Sequence, residues 1–186
     1  MLEHLLQWDR ETLIYLNSLG IESYDGFWQA VTDIATWIPL FLLLAALLFW
    51  KYGRREGAAI LLATLLMLGF MLLLTDLTKE WVGRLRPNNE PQVNTLIRIL
   101  RRPSSFSFFS GHASTSFSIS TLVFLFLRPH FRWAALLFLW PLLFAFSRIY
   151  VGVHYPIDIL VGTLVGIAIA MAWYGLYQRL IPRYIR

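Results

Sequence analysis

The amino-acid sequence predicts an all-α integral membrane protein, a polytopic bundle of about five transmembrane helices with an amphipathic surface helix at its N-terminus. Three observations support this fold class. Hydrophobic residues make up 58% of the 186 residues, more than the roughly one half that is typical of soluble domains. The mean hydropathy is +0.59. The apolar residues also gather into runs of about 20, the length that crosses a bilayer as a helix. We expect residues 1–186 to form a single membrane-embedded domain.

Composition also excludes several classes of function. The chain contains no cysteine, which excludes disulfides and thiolate metal sites. A net charge of +5 could indicate a nucleic-acid partner. However, the basic residues lie at the ends of the apolar runs, and this pattern favours membrane orientation and an anionic substrate. The sequence therefore predicts no nucleic-acid partner, and it indicates no protein partner.

The first 20 residues predict an amphipathic interfacial helix, with leucines at positions 2, 5, 6, 13 and 16 among charged residues. Such a helix either lies at the membrane surface or packs on the bundle, and the sequence leaves both possibilities open. After Gly20, five apolar runs predict transmembrane helices over residues 28–50, 58–78, 111–127, 132–148 and 157–177. Within the last run, Gly162, Gly166 and Ala170 form a stripe of small residues that predicts close packing on a neighbouring helix.

The distribution of basic residues predicts the orientation. Three short segments, 51–56, 128–132 and 178–186, hold eight lysines and arginines against one acidic residue. The positive-inside rule favours these segments as cytoplasmic. The loop after the second helix, the start of the third and the turn between the fourth and fifth would then share the opposite face. We expect that face to point to the periplasm or exterior of a bacterial inner membrane.

The first stretch with chemical potential lies at the end of the second predicted helix. Lys79 is followed seven residues later by Arg86 and then by Pro87. Arginine offers a planar fork and lysine a point charge, and phosphate binding uses both. The alternative is that both side chains are anchors that reach from a helix end to the membrane surface.

The second stretch is Ser110, Gly111 and His112 at the start of the third predicted helix. Backbone N–H groups at a helix N-terminus form a natural anion site, and glycine permits close approach. His112 could donate a proton to a leaving oxygen. Taken alone, the tripeptide is also typical of a simple helix cap.

The third stretch, 147–158, places Arg148, His154 and Asp158 at the mouth of a membrane helix, where ionisable groups are usually functional. Pro156 suits the first position of a helix. Asp158 then falls in the first turn and faces back toward His154, four residues earlier. A carboxylate there can fix one imidazole tautomer and leave the other ring nitrogen free to attack. A structural histidine beside a carboxylate is the alternative.

Together, the order and spacing of these three stretches resemble the signature of the type 2 phosphatidic acid phosphatase family. The match spans residues 79–158, with one departure: Phe109 stands where the family usually has proline. Members often have six membrane helices, whereas this sequence predicts five and a surface helix.

The resemblance implies a role for each matched residue. His154 would attack phosphorus and form a phosphohistidine, Asp158 would orient His154, and His112 would protonate the leaving group and later activate water. The remaining matched residues would bind the phosphoryl oxygens: Lys79, Arg86, Ser110, Gly111 and Arg148. Cations and helix-end amides can stabilise this transition state, and no carboxylate cluster for Mg²⁺ lies near the motifs, so we expect no metal and no cofactor.

A site between membrane helices at the bilayer surface suits a lipid phosphate. Residues 91–109 mix aliphatic, aromatic and arginine side chains, and they either guide acidic lipid heads or form a plain ordered loop. Within the family, undecaprenyl diphosphate, phosphatidylglycerophosphate and lipid A phosphatases all fit, and we favour the first because carrier-lipid recycling is a common need on that face. A small transporter is the alternative from another class, but it would place charges near helix centres and show an internal repeat.

Overall fold

The computed structural model describes residues 2–181, and within them the chain is all-helical, as predicted. Connections that include 3₁₀ segments join the main elements, and the longest of them covers residues 83–110. The α-helices of this part of the chain are α1 (Leu2–Ser18), α2 (Asp25–Val31), α3 (Ile38–Val82), α4 (Gly111–Leu127), α5 (Leu139–Tyr150) and α6 (Pro156–Leu180).

Helix α3 is folded in two at Gly53, which has a φ of 70° and a ψ of −179°. In a straight helix, residues 49 and 57 would be about 12 Å apart. Instead, the Cα atom of Phe49 lies 3.1 Å from the position that a Cβ atom would take on Gly57. The chain therefore reverses here, and the arms 38–52 and 54–82 form a hairpin of two apolar helices. These arms correspond to the first two predicted spans.

The first predicted span, 28–50, is wrong at its start. Residues 25–31 form the separate helix α2, and the chain turns before the first arm of α3 begins at Ile38. The side chain of Asp33 accepts a hydrogen bond from the N–H of Ala35 at 3.0 Å, and it thereby caps a 3₁₀ turn over Ile34–Trp37. A local cap interrupts the apolar run here, which hydropathy alone does not reveal.

The later helices match their predicted positions with one difference. Helix α4 has the predicted bounds, whereas the fourth predicted span divides into a 3₁₀ segment, Arg132–Phe138, and α5. Pro141 is the third residue of α5, where its missing N–H costs little. Stretches of membrane-spanning length and apolarity are Ile34–Asn89, Arg132–Tyr150 and Pro156–Leu180, and α4 is a shorter apolar helix.

Helix α4 lies at the centre of the bundle and packs closely on α6. A Cβ atom on Gly162 would lie 2.7 Å from the carbonyl oxygen of Ser110, and one on Gly166 would overlap the carbonyl oxygen of Ser114. Ala170 is fully buried. The stripe of small residues thus allows close helix packing, as predicted, and the start of α4 lies directly against the start of α6.

The basic turns 51–56 and 128–132 lie together at one end of the bundle. The hydroxyl of Tyr52 donates to the carbonyl oxygen of Phe126 at 2.6 Å, and the ammonium of Lys51 lies 5.1 Å from the ring centre of Phe131. Tyr177 near the end of α6 packs on Phe126. Residues 182–186 of the third predicted basic segment are outside the described part of the chain. The direction in which this end faces across the membrane stays a prediction.

Helix α1 packs on the bundle at the opposite end. Leu13 is fully buried beside Ile149 and Tyr155. The side-chain amide of Asn17 donates to the carbonyl oxygens of Ile149 and Tyr150, both at 3.0 Å. This packing is one of the two possibilities that the sequence left open, and a position at the membrane surface stays a prediction.

Candidate active site

Arg86 connects the first and third sequence stretches in the interior of the protein. Its side chain is only 5% exposed. Nη1 lies 2.9 Å from Nε2 of His154 and 3.2 Å from the carbonyl oxygen of Val153. Nε and Nη2 donate to the carbonyl and hydroxyl oxygens of Ser105, at 2.7 and 3.0 Å. The guanidinium is therefore fixed on three sides, with one edge against the imidazole.

The surroundings of His154 define its tautomer. A guanidinium only donates hydrogen bonds, so Nε2 of His154 must accept the bond from Arg86, and the ring proton is on Nδ1. Nδ1 lies 3.2 Å from the hydroxyl of Ser107 and 3.4 Å from Oδ2 of Asp158. Burial, together with the nearby charge of Arg86, lowers the pKa of His154 to about 3 against the opposing hydrogen bond to Asp158. The imidazole is therefore neutral, with a lone pair on Nε2.

Asp158 is held by four donors at the start of α6. Oδ2 accepts from the N–H of Tyr155 at 3.0 Å, and the hydroxyl of Ser107 also donates to this oxygen. Oδ1 accepts from Nη1 of Arg84 at 2.8 Å. The side chain thus completes a capping box with Tyr155, as expected for an acidic residue in the first turn. Its remaining contact is with Nδ1–H of His154.

Lys79, Gly111 and His112 share a polar cavity of about 420 Å³, whose other polar wall residues are Thr32, Asp33, Thr75, Asp76, Arg101 and Thr115. The ammonium of Lys79 lies 3.9 Å from a carboxylate oxygen of Asp76, one turn earlier on α3. It also lies 3.7 Å from the Cβ position of Gly111, at the N-terminus of α4. The ring of His112 stacks on Phe144 with centres 4.6 Å apart.

Arg148 contacts Thr32 in the wall of this cavity, but neither Arg148 nor His154 is among the described residues that line it. Arg148 is 5% exposed, and its Nη1 donates to the hydroxyl of Thr32 at 2.5 Å. Its Nε is buried and has no partner among residues 2–181.

Of the matched residues, Ser110 caps α4 through the N–H of Ala113 at 3.4 Å, and its own N–H donates to the carbonyl oxygen of Asp158 at 3.0 Å. Phe109, the departure from the family pattern, is buried.

Among the described residues, the charges of Arg86 and Arg148 are not neutralised by carboxylates. Within the described chain, neither Arg86 nor Arg148 forms a salt bridge, although both are buried. Lys79, Arg86 and Arg148 are close enough for their charges to repel. Buried cations without anionic partners are costly, which makes this region a strong site for an oxyanion. Across residues 2–181, no group of three histidine, aspartate or glutamate side chains could hold a metal ion.

Three residues that surround His154 and Asp158 were not predicted from the sequence. Ser107 lies between His154 and Asp158, Arg84 binds Asp158, and Asp9 binds Arg84. Arg84 lies inside the first stretch, two residues before Arg86. This position is the one feature of the sequence that could have indicated a role for Arg84 in the site. Arg98, in the segment 91–109 whose role toward lipid heads stays a prediction, forms an ion pair with Asp25 at 2.7 Å.

An all-helical membrane bundle with this cationic, histidine-containing site defines a membrane-embedded phosphatase. The chain belongs to the PAP2 superfamily, whose family model matches residues 57–182. It is an integral membrane enzyme that hydrolyses lipid phosphates, as the resemblance in the sequence predicted.

Named relatives have a range of substrates. A lipid A 4'-phosphatase of Bacteroides thetaiotaomicron is 29% identical over 89% of this chain and 75% of its own length. An undecaprenyl-diphosphatase of Sulfolobus acidocaldarius is 32% identical over 70% of this chain and 58% of its own length. The crystal structure of a PAP2-type phosphatidylglycerolphosphate phosphatase from Bacillus subtilis has a TM-score of 0.76 and 22% identity, and covers 98% of this chain and 90% of that one. This last likeness shows the shared fold.

Proposed function

We propose that the enzyme dephosphorylates a membrane lipid through a phosphohistidine on His154, and that its preferred substrate is undecaprenyl diphosphate. The observation that carries the mechanism is the pair of buried guanidinium groups, Arg86 and Arg148, that have no carboxylate partner among residues 2–181. Each now donates to a neutral acceptor, Nε2 of His154 or the hydroxyl of Thr32. Phosphoryl oxygens would replace these acceptors, and Lys79 and the N–H groups at the start of α4 would complete the cradle.

The reaction has two displacements. First, Nε2 of His154 attacks phosphorus and forms a P–N bond while the P–O bond to the leaving group breaks. His112, in the imidazolium form that the bound phosphate anion favours, gives a proton to the leaving oxygen. His112 then takes a proton from a water molecule whose oxygen attacks phosphorus. The P–N bond breaks, inorganic phosphate leaves, and both histidines return to their first state. Asp158 stabilises the charge that develops on His154 during the attack.

A lipid is supported by an apolar groove that adjoins the polar cavity. The groove has a volume of about 400 Å³ and is lined by both arms of α3 together with α4 and α5. Ile34, Leu72, Thr115 and Phe144 line the groove and the cavity alike. A phosphate head in the cavity therefore places a hydrocarbon chain directly in the groove, where it stays out of water.

The preference for a diphosphate rests on Arg101. This residue lines the cavity as a further cation beyond the matched set, and its pair with Asp33 is loose, at 3.8 Å and half-exposed. A second phosphate group would displace Asp33 and bind Arg101. Lipid A is the second candidate, because the Bacteroides thetaiotaomicron relative named for it aligns with 89% of this chain.

Phosphate release from four lipids in detergent tests the proposal: undecaprenyl diphosphate, phosphatidylglycerophosphate, phosphatidic acid and lipid A. We expect the highest kcat/KM for undecaprenyl diphosphate, a selective loss on this lipid in Arg101→Ala, and no turnover in folded His154→Ala. A higher kcat/KM for lipid A would replace the substrate assignment, whereas turnover by His154→Ala would remove the phosphohistidine mechanism.

We also propose that the site faces the exterior of a bacterial inner membrane. The chain has no cysteine, so single cysteines report position without background. Asn89→Cys, exposed near the site, should react with an impermeant thiol reagent in intact cells. Arg54→Cys, exposed at the opposite end, should react only after lysis. The reverse pattern would invert the orientation.

A further inference from the structure

Asp9 on α1 is a fully buried carboxylate with two partners from distant parts of the chain. Its side chain is 0% exposed. Oδ2 accepts from Nη2 of Arg84 at 2.6 Å, and Oδ1 accepts from the backbone N–H of Ile157 at 2.8 Å. Ile157 is the second residue of α6, where backbone N–H groups have no partner within the helix. Asp9 therefore caps α6 from another helix and binds a partly buried cation at the same time.

Arg84 divides its guanidinium between two carboxylates. Nη2 binds Asp9, and Nη1 donates to Oδ1 of Asp158 at 2.8 Å. The guanidinium also stacks over the ring of Tyr155, with its carbon 3.9 Å from the ring centre. The planar fork of arginine suits such a bridge, which a single ammonium group could not form with the same geometry.

The bridge determines which oxygen of Asp158 faces the imidazole. Arg84 occupies Oδ1, so Oδ2 is the oxygen left for Tyr155 N–H, Ser107 and Nδ1 of His154. Without Asp9, Arg84 would lose one of its two carboxylate partners. Its side chain, which is already 18% exposed, could then turn toward solvent. The carboxylate of Asp158 could then rotate away from His154.

We propose that Asp9 is a positioning residue for catalysis, which acts through Arg84 to fix the rotation of the Asp158 carboxylate beneath His154. On this inference, which rests on the proposed roles of His154 and Asp158, α1 completes the active site. An ion pair that serves stability alone would lower the melting temperature and leave the turnover of folded protein unchanged. A positioning role lowers kcat and leaves KM nearly unchanged, because Asp9 touches no substrate.

The test compares Asp9→Asn with Glu11→Gln in the full-length protein. Both remove one negative charge from α1, but Glu11 is exposed and binds only Gln7 in the structure. The assay is phosphate release from a short-chain phosphatidic acid in detergent, with rapid-quench measurement of the phosphohistidine and a melting curve for each variant.

We expect Asp9→Asn to lower kcat and the rate of phosphohistidine formation about 10- to 100-fold, the loss typical of a hydrogen bond to a charged group. Its KM should stay within about twofold of the wild-type value, as expected when only transition-state interactions are lost. Glu11→Gln should behave as wild type, and Asp9→Glu, which keeps the carboxylate, should recover part of the lost kcat. Wild-type kcat in folded Asp9→Asn would overturn the proposal.

Arg84→Lys is the second variant, and it keeps the inference testable if Asp9→Asn fails to fold. It retains the positive charge but loses the fork, so we expect the same fall in kcat with little change in KM. Wild-type kcat in folded Arg84→Lys would also overturn the inference. His154→Ala in the same assay separates a failure of the proposed function from a failure of this inference. Activity in His154→Ala contradicts the proposed function. An inactive His154→Ala together with a fully active Asp9→Asn contradicts only the positioning role.

Discussion

Replacing Ser107 with alanine tests whether the pair of His154 and Asp158 depends on a hydroxyl between them. The Ser107 hydroxyl lies 3.2 Å from Nδ1 of His154 and donates to Oδ2 of Asp158. The direct distance from Nδ1 to Oδ2 is 3.4 Å, which is long for a hydrogen bond. The Ser107 oxygen therefore accepts a hydrogen bond from Nδ1–H of His154, and its own hydroxyl donates one to the carboxylate. Without the hydroxyl, the imidazole keeps only the longer and weaker contact.

The size of the effect follows from the charge on Asp158. A hydrogen bond to a charged group is worth about 1.5–3 kcal/mol, and each 1.36 kcal/mol of barrier changes a rate about tenfold. We therefore expect Ser107→Ala to lower kcat about 10- to 100-fold. The fold of the loop should survive, because the backbone N–H of Ser107 still donates to the carbonyl oxygen of Arg84 at 2.8 Å.

The assay is phosphate release at saturating lipid, with Ser104→Ala as the matched control. Ser104 is an exposed serine in the same loop, and its removal should leave kcat unchanged. The melting temperatures of both variants should lie close to that of the wild type. If Ser107→Ala keeps a kcat within about twofold of Ser104→Ala, a difference too small for a lost hydrogen bond to a charged group, the relay through Ser107 is refuted.

Three further predictions follow from the site and the packing. Phosphate release should persist in EDTA, because lysine and arginine supply the positive charge; a loss that Mg²⁺ restores would contradict this. Burial lowers the pKa of His154 from 6.5 to about 3, so the nucleophile stays neutral as the pH falls. Phosphohistidine formation, followed by rapid quench, should not decline from pH 8 to about pH 5, and a decline centred near 6.5 would refute that. Gly166→Ala should lower stability by about 1–3 kcal/mol, as overpacking does, since the new methyl group meets the carbonyl oxygen of Ser114. Gly175→Ala on the same helix meets nothing within 4 Å and should be neutral or stabilising in thermal unfolding, so equal losses in the two variants would contradict the packing argument.

Local sequence was sufficient for most of the apolar helices, whereas the roles of the matched site residues stay predictions. Hydropathy is a property of consecutive residues, so α4 could be predicted at its observed bounds. Pro156 and Asp158 define the start of α6 through backbone chemistry that acts within one turn. The same local reasoning failed at residues 25–37, where a hydrogen bond from Ala35 to Asp33 ends an apolar run early.

The sequence by itself determined that this chain is a helical membrane protein with cations and histidines at the ends of its helices, because hydrophobicity and helix-end chemistry are encoded over a few neighbouring residues. Only the tertiary structure decided which of these groups meet. Arg84 is about 75 residues along the chain from each of its two partners, Asp9 and Asp158. Ser107 reaches His154 from another loop. No short-range pattern specifies such contacts, because they depend on how α1 and the loop before α4 pack on the start of α6.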